Sequence, residues 1–301
     1  MKKASKKTRL LWVVFGVLAF TATILQTLAI LLDYESKTNY FTGRFPLPHL
    51  AVIFAILAAI VGSVAALTTK LSALAENPFP RLPIPSLTAI GSILLAVAIL
   101  TTKHTETNPI IMPATVIFLI LSAVYPILSG IPACRRHRTV TLLFGMAAVL
   151  SCILTNAYYY FDISVEMNAP LKTTLQVSLL FLMLYLTAEL RYLLGTPQPR
   201  LYLALAAWAI PFALISAIPL PFALFTGKLT RLDYVAGGLL MLCASVTICH
   251  RIAVLYRSEK PVDTAAEKSV RVDTDVPACV AEPATDTSVP VTEEKDTEDR
   301  I

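Results

Sequence analysis

The chain of 301 residues is 56% hydrophobic and only 15% charged, with a mean hydropathy of +0.68. Soluble domains are about half apolar and about a quarter charged, so this composition excludes an ordinary water-soluble protein. The formal net charge of +5 does not indicate nucleic-acid binding, because it sums a basic body and an acidic end. Residues 1–260 carry a net +12 and residues 261–301 a net −7.

The N-terminal segment, residues 1–9, is basic and is followed by an apolar run that continues to Leu32. This order is similar to that of a bacterial signal peptide. The apolar run is longer than a signal peptide requires, however, and no A-x-A cleavage site interrupts it. We therefore predict a short cytoplasmic segment over 1–9 and an uncleaved first membrane span.

Long apolar runs fill the region from 10 to 257. A helix needs about 20 mostly apolar residues to cross a hydrocarbon core about 30 Å thick, and these runs are too long for barrel strands. The predicted fold class is therefore all-α, a polytopic transmembrane bundle of eight spans. The third span is the shortest, and a re-entrant segment is the alternative there. The predicted spans are 10–32, 50–68, 86–102, 111–131, 139–157, 173–190, 201–225 and 234–256.

The distribution of Lys and Arg predicts the orientation of these spans. With the N-terminus inside, the segments on the inner side carry fifteen basic residues and those on the outer side six. Loops on the cytoplasmic side are enriched in Lys and Arg. We therefore predict a multi-pass protein of the bacterial plasma membrane with both termini in the cytoplasm and the lipid bilayer as its environment.

The C-terminal segment, 258–301, is rich in Thr, Asp, Glu and Pro and lacks a sustained apolar pattern. Such a segment cannot bury a core, so we predict a disordered acidic tail. Anionic lipid would repel this acidic tail. Its negative charge suits a basic cytoplasmic protein as a binding partner. The sequence makes no prediction about the oligomeric state.

Catalytic and metal-binding signatures are missing from the sequence. It contains no H-E-x-x-H, G-x-S-x-G, P-loop or dinucleotide-binding motif. The five cysteines show no CxxC or Cys/His spacing of the kind that zinc sites use. We therefore expect neither a metal nor a cofactor, and we do not predict an enzyme. The four histidines lie near the ends of spans, at His49, His104, His137 and His250.

Polar side chains at the outer ends of the spans form the first candidate site. Polar residues within spans cost free energy in hydrocarbon and are therefore candidates for function. We predict that six of them line a polar outer vestibule. The alternative is hydrogen bonding between helices that only holds the bundle together. The six are Gln26, Asn156, Asp162, Glu166, Asn168 and Gln176.

A second candidate site lies near the inner end of the sixth span. Glu189 is the one acidic residue inside the apolar part of a predicted span, and Arg191 follows it closely. Arg251 in the eighth span lies at a similar depth. We predict an inner ion pair among these three residues. It is either a gate or proton site, or an interfacial pair that fixes the end of the helix while the arginine reaches water.

Two spans carry signals of unusual packing. Small residues recur every fourth position in the second span, from Ala51 to Ser63, which predicts close approach by a neighbouring helix. Pro211, Pro219 and Pro221 interrupt the seventh span and predict a kink. Broken helices accompany transport sites, but proline is also more common in membrane helices generally.

The stretch from Tyr160 to Lys172, Y-F-D-I-S-V-E-M-N-A-P-L-K, continues to E-L-R-Y-L-L-G at residues 189–195. These residues resemble a recurrent segment in a family of uncharacterised bacterial multi-pass membrane proteins. The resemblance covers about 35 residues and implies a bacterial plasma membrane but no mechanism. It directs attention to Asp162, Glu166, Asn168, Pro170, Glu189 and Arg191.

Three functions remain open at this point. The first is a small-solute transporter or permease-like protein, which the span count, the interrupted seventh span and the predicted vestibule favour. The second is a non-transporting membrane sensor or scaffold whose acidic tail binds a cytoplasmic partner. The third is a membrane-embedded enzyme. A polar cavity would favour the first, and a solid bundle of small residues would favour the second.

Overall fold

The computed structural model describes residues 6–69, 79, 83–102, 110–131 and 137–257. The predicted disordered tail over 258–301 lies outside this part of the chain. So do the first five residues of the basic N-terminus and the basic residues at 135 and 136.

The described residues form nine helices and one short hairpin. The hairpin pairs β1 (Tyr34–Glu35) with β2 (Tyr40–Phe41) in antiparallel register, with Tyr34 opposite Phe41. The helices are α1 (Lys6–Asp33), α2 (Leu47–Thr68), α3 (Ile84–Thr101), α4 (Ile111–Gly130), α5 (Arg138–Phe161), α6 (Pro170–Leu193), α7 (Pro199–Ala217), α8 (Pro219–Phe225) and α9 (Leu232–Arg257).

Eight helical segments in the described chain are long and apolar enough to cross a membrane. They correspond one to one to the predicted spans, with α7 and α8 together forming the seventh. The third, Ile84–Thr101, is the shortest at 18 residues. Helix α1 starts at Lys6, earlier than the predicted 10, because long basic side chains can lie along a helix end and reach water.

Proline sets the start of several helices. It occupies the first turn of α2, α3, α6, α7 and α8, where its missing N–H costs no helical hydrogen bond. In the seventh span the helix runs through Pro211 and breaks at Ile218, immediately before Pro219. The interruption predicted from the three prolines therefore lies at the second of them.

Helix α7 lies at the centre of the bundle. It packs against α1, α2, α6 and α9. In the most apolar part of its span, 67% of the residues are buried, compared with 50% or less in each of the other spans. Helix α9 also packs against α3. The remaining helices form an outer ring in which α1 contacts α2, α3 contacts α4, and α5 lies between α4 and α6.

Small residues bring α2 close to its neighbours. Ala51, Ala55 and Ala59 are completely buried, as the spacing of small residues predicts. A Cβ atom at Gly62 would lie 2.6 Å from the Cβ of Ala207 on α7 and 2.8 Å from the Cδ2 of Phe15 on α1. Only glycine therefore allows α2 to approach both helices at this level.

The outer surface of the ring is apolar. Leu10, Val17 and Phe20 on α1, Leu67 on α2 and Leu143 on α5 all expose more than half of their surface. A soluble protein seldom exposes apolar side chains over so much of its surface. Together with the span lengths, this surface indicates a polytopic membrane protein.

Contacts between distant residues define two ends of the bundle. At the end that we call inner, Trp12 Nε1 donates to the hydroxyl of Tyr256, 3.2 Å away, so the start of α1 meets the end of α9. At the end that we call outer, Lys228 Nζ donates to the carbonyl of Tyr34 at 2.8 Å. The connections 34–46, 162–169 and 226–231 lie at this outer end.

Candidate functional site

A cavity of about 530 Å³, the outer cavity, lies in the outer half of the bundle. Residues of α1, α2, α6 and α7 line it, and β2 and the connection before α6 lie at its mouth. Its lining comprises Gln26, Phe41, Pro48, His49, Val52, Ile53, Asn168, Pro170, Thr173, Thr174, Val177, Phe212 and Ile215.

The outer cavity exists because two of its walls do not meet. Helices α2 and α6 both pack extensively against α7, whereas they share at most a marginal contact with each other. Phe212 and Ile215 of α7 lie behind the gap. Gln26 is seven residues from the outer end of α1, so the lining reaches about 10 Å below that end.

Gln26 is the buried polar group of this cavity. Only 2% of its surface is exposed, and its side chain lines the cavity. Two polar residues near it on α1, Thr23 and Thr27, instead donate to the carbonyls of Ala19 and Thr23 at 2.9 and 2.8 Å. The amide of Gln26 therefore offers a donor and an acceptor to whatever occupies the cavity.

Beside the cavity, Asp162, Lys172, Arg231 and Asp233 form an outer charge cluster. The guanidinium of Arg231 contacts the carboxylate of Asp162 at 2.9 Å and donates from Nε to Asp233 at 2.9 Å. Burial of Arg231 lowers the pKa of its guanidinium. The hydrogen bond and the negative charge of Asp233 outweigh this effect of burial, so the pKa of Arg231 is raised. The hydroxyl of Tyr158 also donates to Asp233, at 3.1 Å.

Lys172 ties the 162–169 connection to α6. Its side chain is almost completely buried, and Nζ donates to the carbonyls of Asp162 and Val165 at 2.8 and 3.1 Å. Two carboxylates and two cations thus neutralise one another within the outer charge cluster. This balance explains how four charges remain beside the apolar bundle.

The hairpin is held at the mouth of the cavity by Asp33 and Glu166. The carboxylate of Asp33 accepts the hydroxyl of Thr42 and the N–H groups of Gly43 and Arg44, both at 3.1 Å. Tyr40 donates its hydroxyl to Glu166, and this hydrogen bond raises the pKa of Tyr40. The hairpin is therefore anchored to α1 and to the 162–169 connection.

At the inner end, Glu189 of α6 and Arg251 of α9 form an ion pair, the inner ion pair. The hydroxyl of Tyr125 on α4 donates to Glu189. Arg251 donates to the hydroxyl of Ser129 at 3.2 Å, and its guanidinium lies over the ring of Phe79, 5.5 Å from the centroid. Three helices are joined through these contacts.

Tyrosines surround the inner ion pair. The hydroxyls of Tyr185 and Tyr202 are hydrogen-bonded to each other, and the ring of Tyr192 meets that of Tyr202 edge to face at 5.2 Å. A cavity of about 30 Å³ adjoins Arg251, Tyr125 and Tyr185. Such a volume accommodates about one water molecule.

The six residues of the predicted vestibule do not converge. Gln26 and Asn168 line the outer cavity, whereas Asp162 belongs to the outer charge cluster and Glu166 bonds to the hairpin. Asn156 donates to the backbone carbonyl of Gln176 at 3.2 Å, which joins α5 to α6 away from the cavity. For these last two residues, the geometry matches the alternative of hydrogen bonding between helices.

The three residues of the predicted inner pair also separate. Glu189 contacts Arg251, while Arg191 donates to the side chain of Gln198 at the surface. The exposed fractions of the paired side chains are 0% for Glu189 and 3% for Arg251. The pair is therefore buried among helices and does not lie at a wet interface.

Several residues of these sites carry little sequence signal. Arg231 and Asp233 lie at the start of a span, where charged residues are ordinary, so neither suggested a buried cluster. Lys172 lies just before the sixth predicted span, where a basic residue is equally ordinary. The tyrosines at 125, 185 and 202 offer a better signal, because each places a hydroxyl inside an apolar run.

Comparison with known proteins gives no further guide to function. No protein-family model, no curated protein and no solved structure matches the chain. Within the described part of the chain, no three His, Cys, Asp or Glu side chains come together as a metal site would require. The family resemblance of residues 160–195 therefore remains a prediction.

Proposed function

We propose that the chain is a permease-like transporter that takes up a small molecule in the outer cavity and releases it at the inner end. The observation that carries this proposal is the contrast between the two ends. A cavity of about 530 Å³ opens at the outer end, whereas the inner half is packed around a buried ion pair. Preformed cavities of about 300–1,000 Å³ are usual for small-molecule sites.

Helix α6 connects the two regions. Val177 lines the outer cavity, and Glu189 lies twelve residues further along the helix, or about 18 Å at 1.5 Å per residue. Between them Leu179, Leu182 and Tyr185 are buried. The packed layer that they form supports a barrier between the cavity and the inner end.

The inner ion pair supports a role for α6 as a moving part. A buried ion pair contributes little stability compared with well-packed apolar side chains, and charges at membrane depth are usually functional. Opening the inner half would move α6 away from α9 and break the contact between Glu189 and Arg251. The same movement would shift the α6 wall of the outer cavity, which couples the two ends as alternating access requires.

Thiol accessibility tests this coupling without knowledge of the substrate. The background variant lacks the five native cysteines, and one cysteine is placed either at Val177 in the outer cavity or at Leu186 beside the inner cavity. A membrane-impermeant thiol reagent is then added separately to each side of oriented vesicles. We expect Val177→Cys to react from the outer side and Leu186→Cys to react only slowly from the inner side.

The substitution Glu189→Gln supplies the decisive comparison. We expect it to increase labelling of Leu186→Cys from the inner side several-fold and to decrease labelling of Val177→Cys from the outer side. Glu35→Gln is the matched control, because Glu35 is an exposed acid of the hairpin. Unchanged labelling at both positions in Glu189→Gln would contradict the transporter and favour a rigid sensor or scaffold.

A further inference from the structure

We infer that the outer cavity binds a single-chain amphiphile with an uncharged hydrogen-bonding head group, which enters sideways from the outer leaflet between α2 and α6. This inference names the class of molecule transported and so rests on the proposed function. It is carried by the lateral gap of the cavity, its apolar lining, the amide of Gln26 in that lining and the distribution of charge.

Besides its mouth at the outer end, the cavity has a lateral gap between α2 and α6. The gap between α2 and α6 lies within the two spans Leu47–Thr68 and Pro170–Leu193. On its α2 side, Val52 and Ile53 line the cavity and expose 39% and 49% of their surface. A molecule dissolved in the outer leaflet can therefore reach the cavity without passing through water.

The lining suits a hydrocarbon chain. Val52, Ile53, Val177, Phe212 and Ile215 present apolar surface along the walls and the back of the cavity. Its volume lies within the range of sites for drug-sized molecules, which favours one chain over a two-chain phospholipid. Apolar walls in contact with lipid would gain little from a fully polar solute.

Gln26 indicates the position of the head group. Only 2% of its surface is exposed, and its side chain lines the cavity. The hydroxyls of Thr173 and Thr174 already donate to the carbonyls of Ala169 and Pro170 at 3.2 and 2.7 Å. The amide of Gln26 can both donate and accept, so a head group that does the same would hydrogen-bond to it.

The charge distribution indicates an uncharged head group. No Asp, Glu, Lys or Arg is among the described residues that line the cavity, and His49 is exposed at its mouth. The charges of the outer charge cluster are paired with one another or with carbonyls. An ionic head group beside Gln26 would be buried without a counterion, which is strongly unfavourable. A hydroxyl or amide head group meets no such penalty.

Photolabelling of the full chain in detergent-free phospholipid nanodiscs tests the inference. Three probes share one diazirine-bearing alkyl chain and differ in the head group, which is a hydroxyl, a carboxylate or a trimethylammonium. We expect saturable labelling of α2 and α6 by the alcohol. Because the charged head groups lack a counterion in the cavity, we expect half-saturation by the other two probes at concentrations about tenfold higher or more.

Gln26→Leu removes the amide while keeping the volume of the side chain. We expect it to weaken labelling by the alcohol about five- to tenfold, which corresponds to the loss of one or two hydrogen bonds. Gln176→Leu is the matched control, since Gln176 is a half-buried glutamine of α6 outside the cavity. Labelling of this control should equal that of the unmodified protein.

Three results would overturn the inference: no saturable labelling of α2 or α6, equal labelling by the charged probes, or an unchanged affinity in Gln26→Leu. These results are distinguishable from failure of the proposed function. Labelling as expected without a change of thiol accessibility in Glu189→Gln would retain the ligand class and refute transport. A change of thiol accessibility in Glu189→Gln without the expected photolabelling would retain transport and refute the ligand class.

Discussion

Glu189 on α6 and Arg251 on α9 form an ion pair that is withdrawn from solvent, with side-chain exposures of 0% and 3%. Tyr125 donates to the glutamate, and Ser129 accepts from the arginine. Both of these partners belong to α4. One buried pair therefore links three helices at the inner end of the bundle.

Removing either charge of the pair should lower the free energy of unfolding, because the other charge then stays buried without an opposite charge beside it. We expect Glu189→Gln to lower the free energy of unfolding by about 3–5 kcal/mol. The double variant Glu189→Leu with Arg251→Met should recover most of this loss, since apolar side chains replace buried ion pairs well. Thermal unfolding in detergent measures both effects.

Arg191→Gln is the control for this series, because Arg191 lies on the same turn of α6 but bonds to Gln198 at the surface. Its removal should change stability by less than about 1 kcal/mol. If the double variant is no more stable than Glu189→Gln alone, the two side chains do not act as a pair.

The close contact at Gly62 predicts a second effect on stability. A methyl group there would collide with Ala207 and Phe15, so Gly62→Ala should cost about 1–3 kcal/mol. Gly16→Ala on α1 is the matched control, because nothing lies within 4 Å of the added Cβ. That substitution should be neutral or slightly stabilising. Equal thermal stability of the two variants would show that α2 does not pack closely against α7.

The hydrogen bond between Tyr40 and Glu166 predicts a titration difference. The neutral phenol donates to the carboxylate, which holds the pKa of Tyr40 above its ordinary value. In Glu166→Gln we expect the pKa of Tyr40 to fall, because the negative charge that opposes ionisation is gone. The ultraviolet difference titration of each protein against its Tyr40→Phe counterpart isolates this group. An unchanged midpoint would show that the hairpin does not reach the 162–169 connection.

The orientation of the bundle remains a prediction from the Lys and Arg distribution. Reporter domains fused at the C-terminus and inserted after Arg44 should report opposite sides of the membrane, with the C-terminal one in the cytoplasm. A third fusion, after Lys103, separates the eight-span arrangement from one in which the third span is re-entrant. A reporter there on the cytoplasmic side would contradict the eight spans.

Much of the fold could be predicted because each span is identified by its own composition. Eight apolar runs predict eight helices without any knowledge of their neighbours. The ends were less predictable. Helix α5 continues through tyrosines to Phe161, beyond its apolar run. Helix α6 begins at Pro170, before its apolar run, because the first turn of a helix does not need the N–H that proline lacks.

The sites were less predictable because they depend on contacts between distant segments. Arg231 meets Asp162 across 69 residues, and no pattern in one sequence specifies that contact. Similar depth along two helices predicted a pair among Glu189, Arg191 and Arg251, but depth alone could not decide between an interfacial pair and a gate or proton site. The burial of the pair depends on Tyr125 and Phe79, which come from other segments of the chain.

The most direct test of the inner ion pair as a closure between α6 and α9 is the distance between these two helices at the inner end. Spin labels at Thr187 and Ala253, both exposed beside the inner ion pair, report this separation in a background without native cysteines. We predict one narrow distance distribution in the unmodified protein and a second, longer component in Glu189→Gln, which represents the inward-open state. A single unchanged distribution in both proteins would contradict the claim that the pair holds a moving α6 against α9.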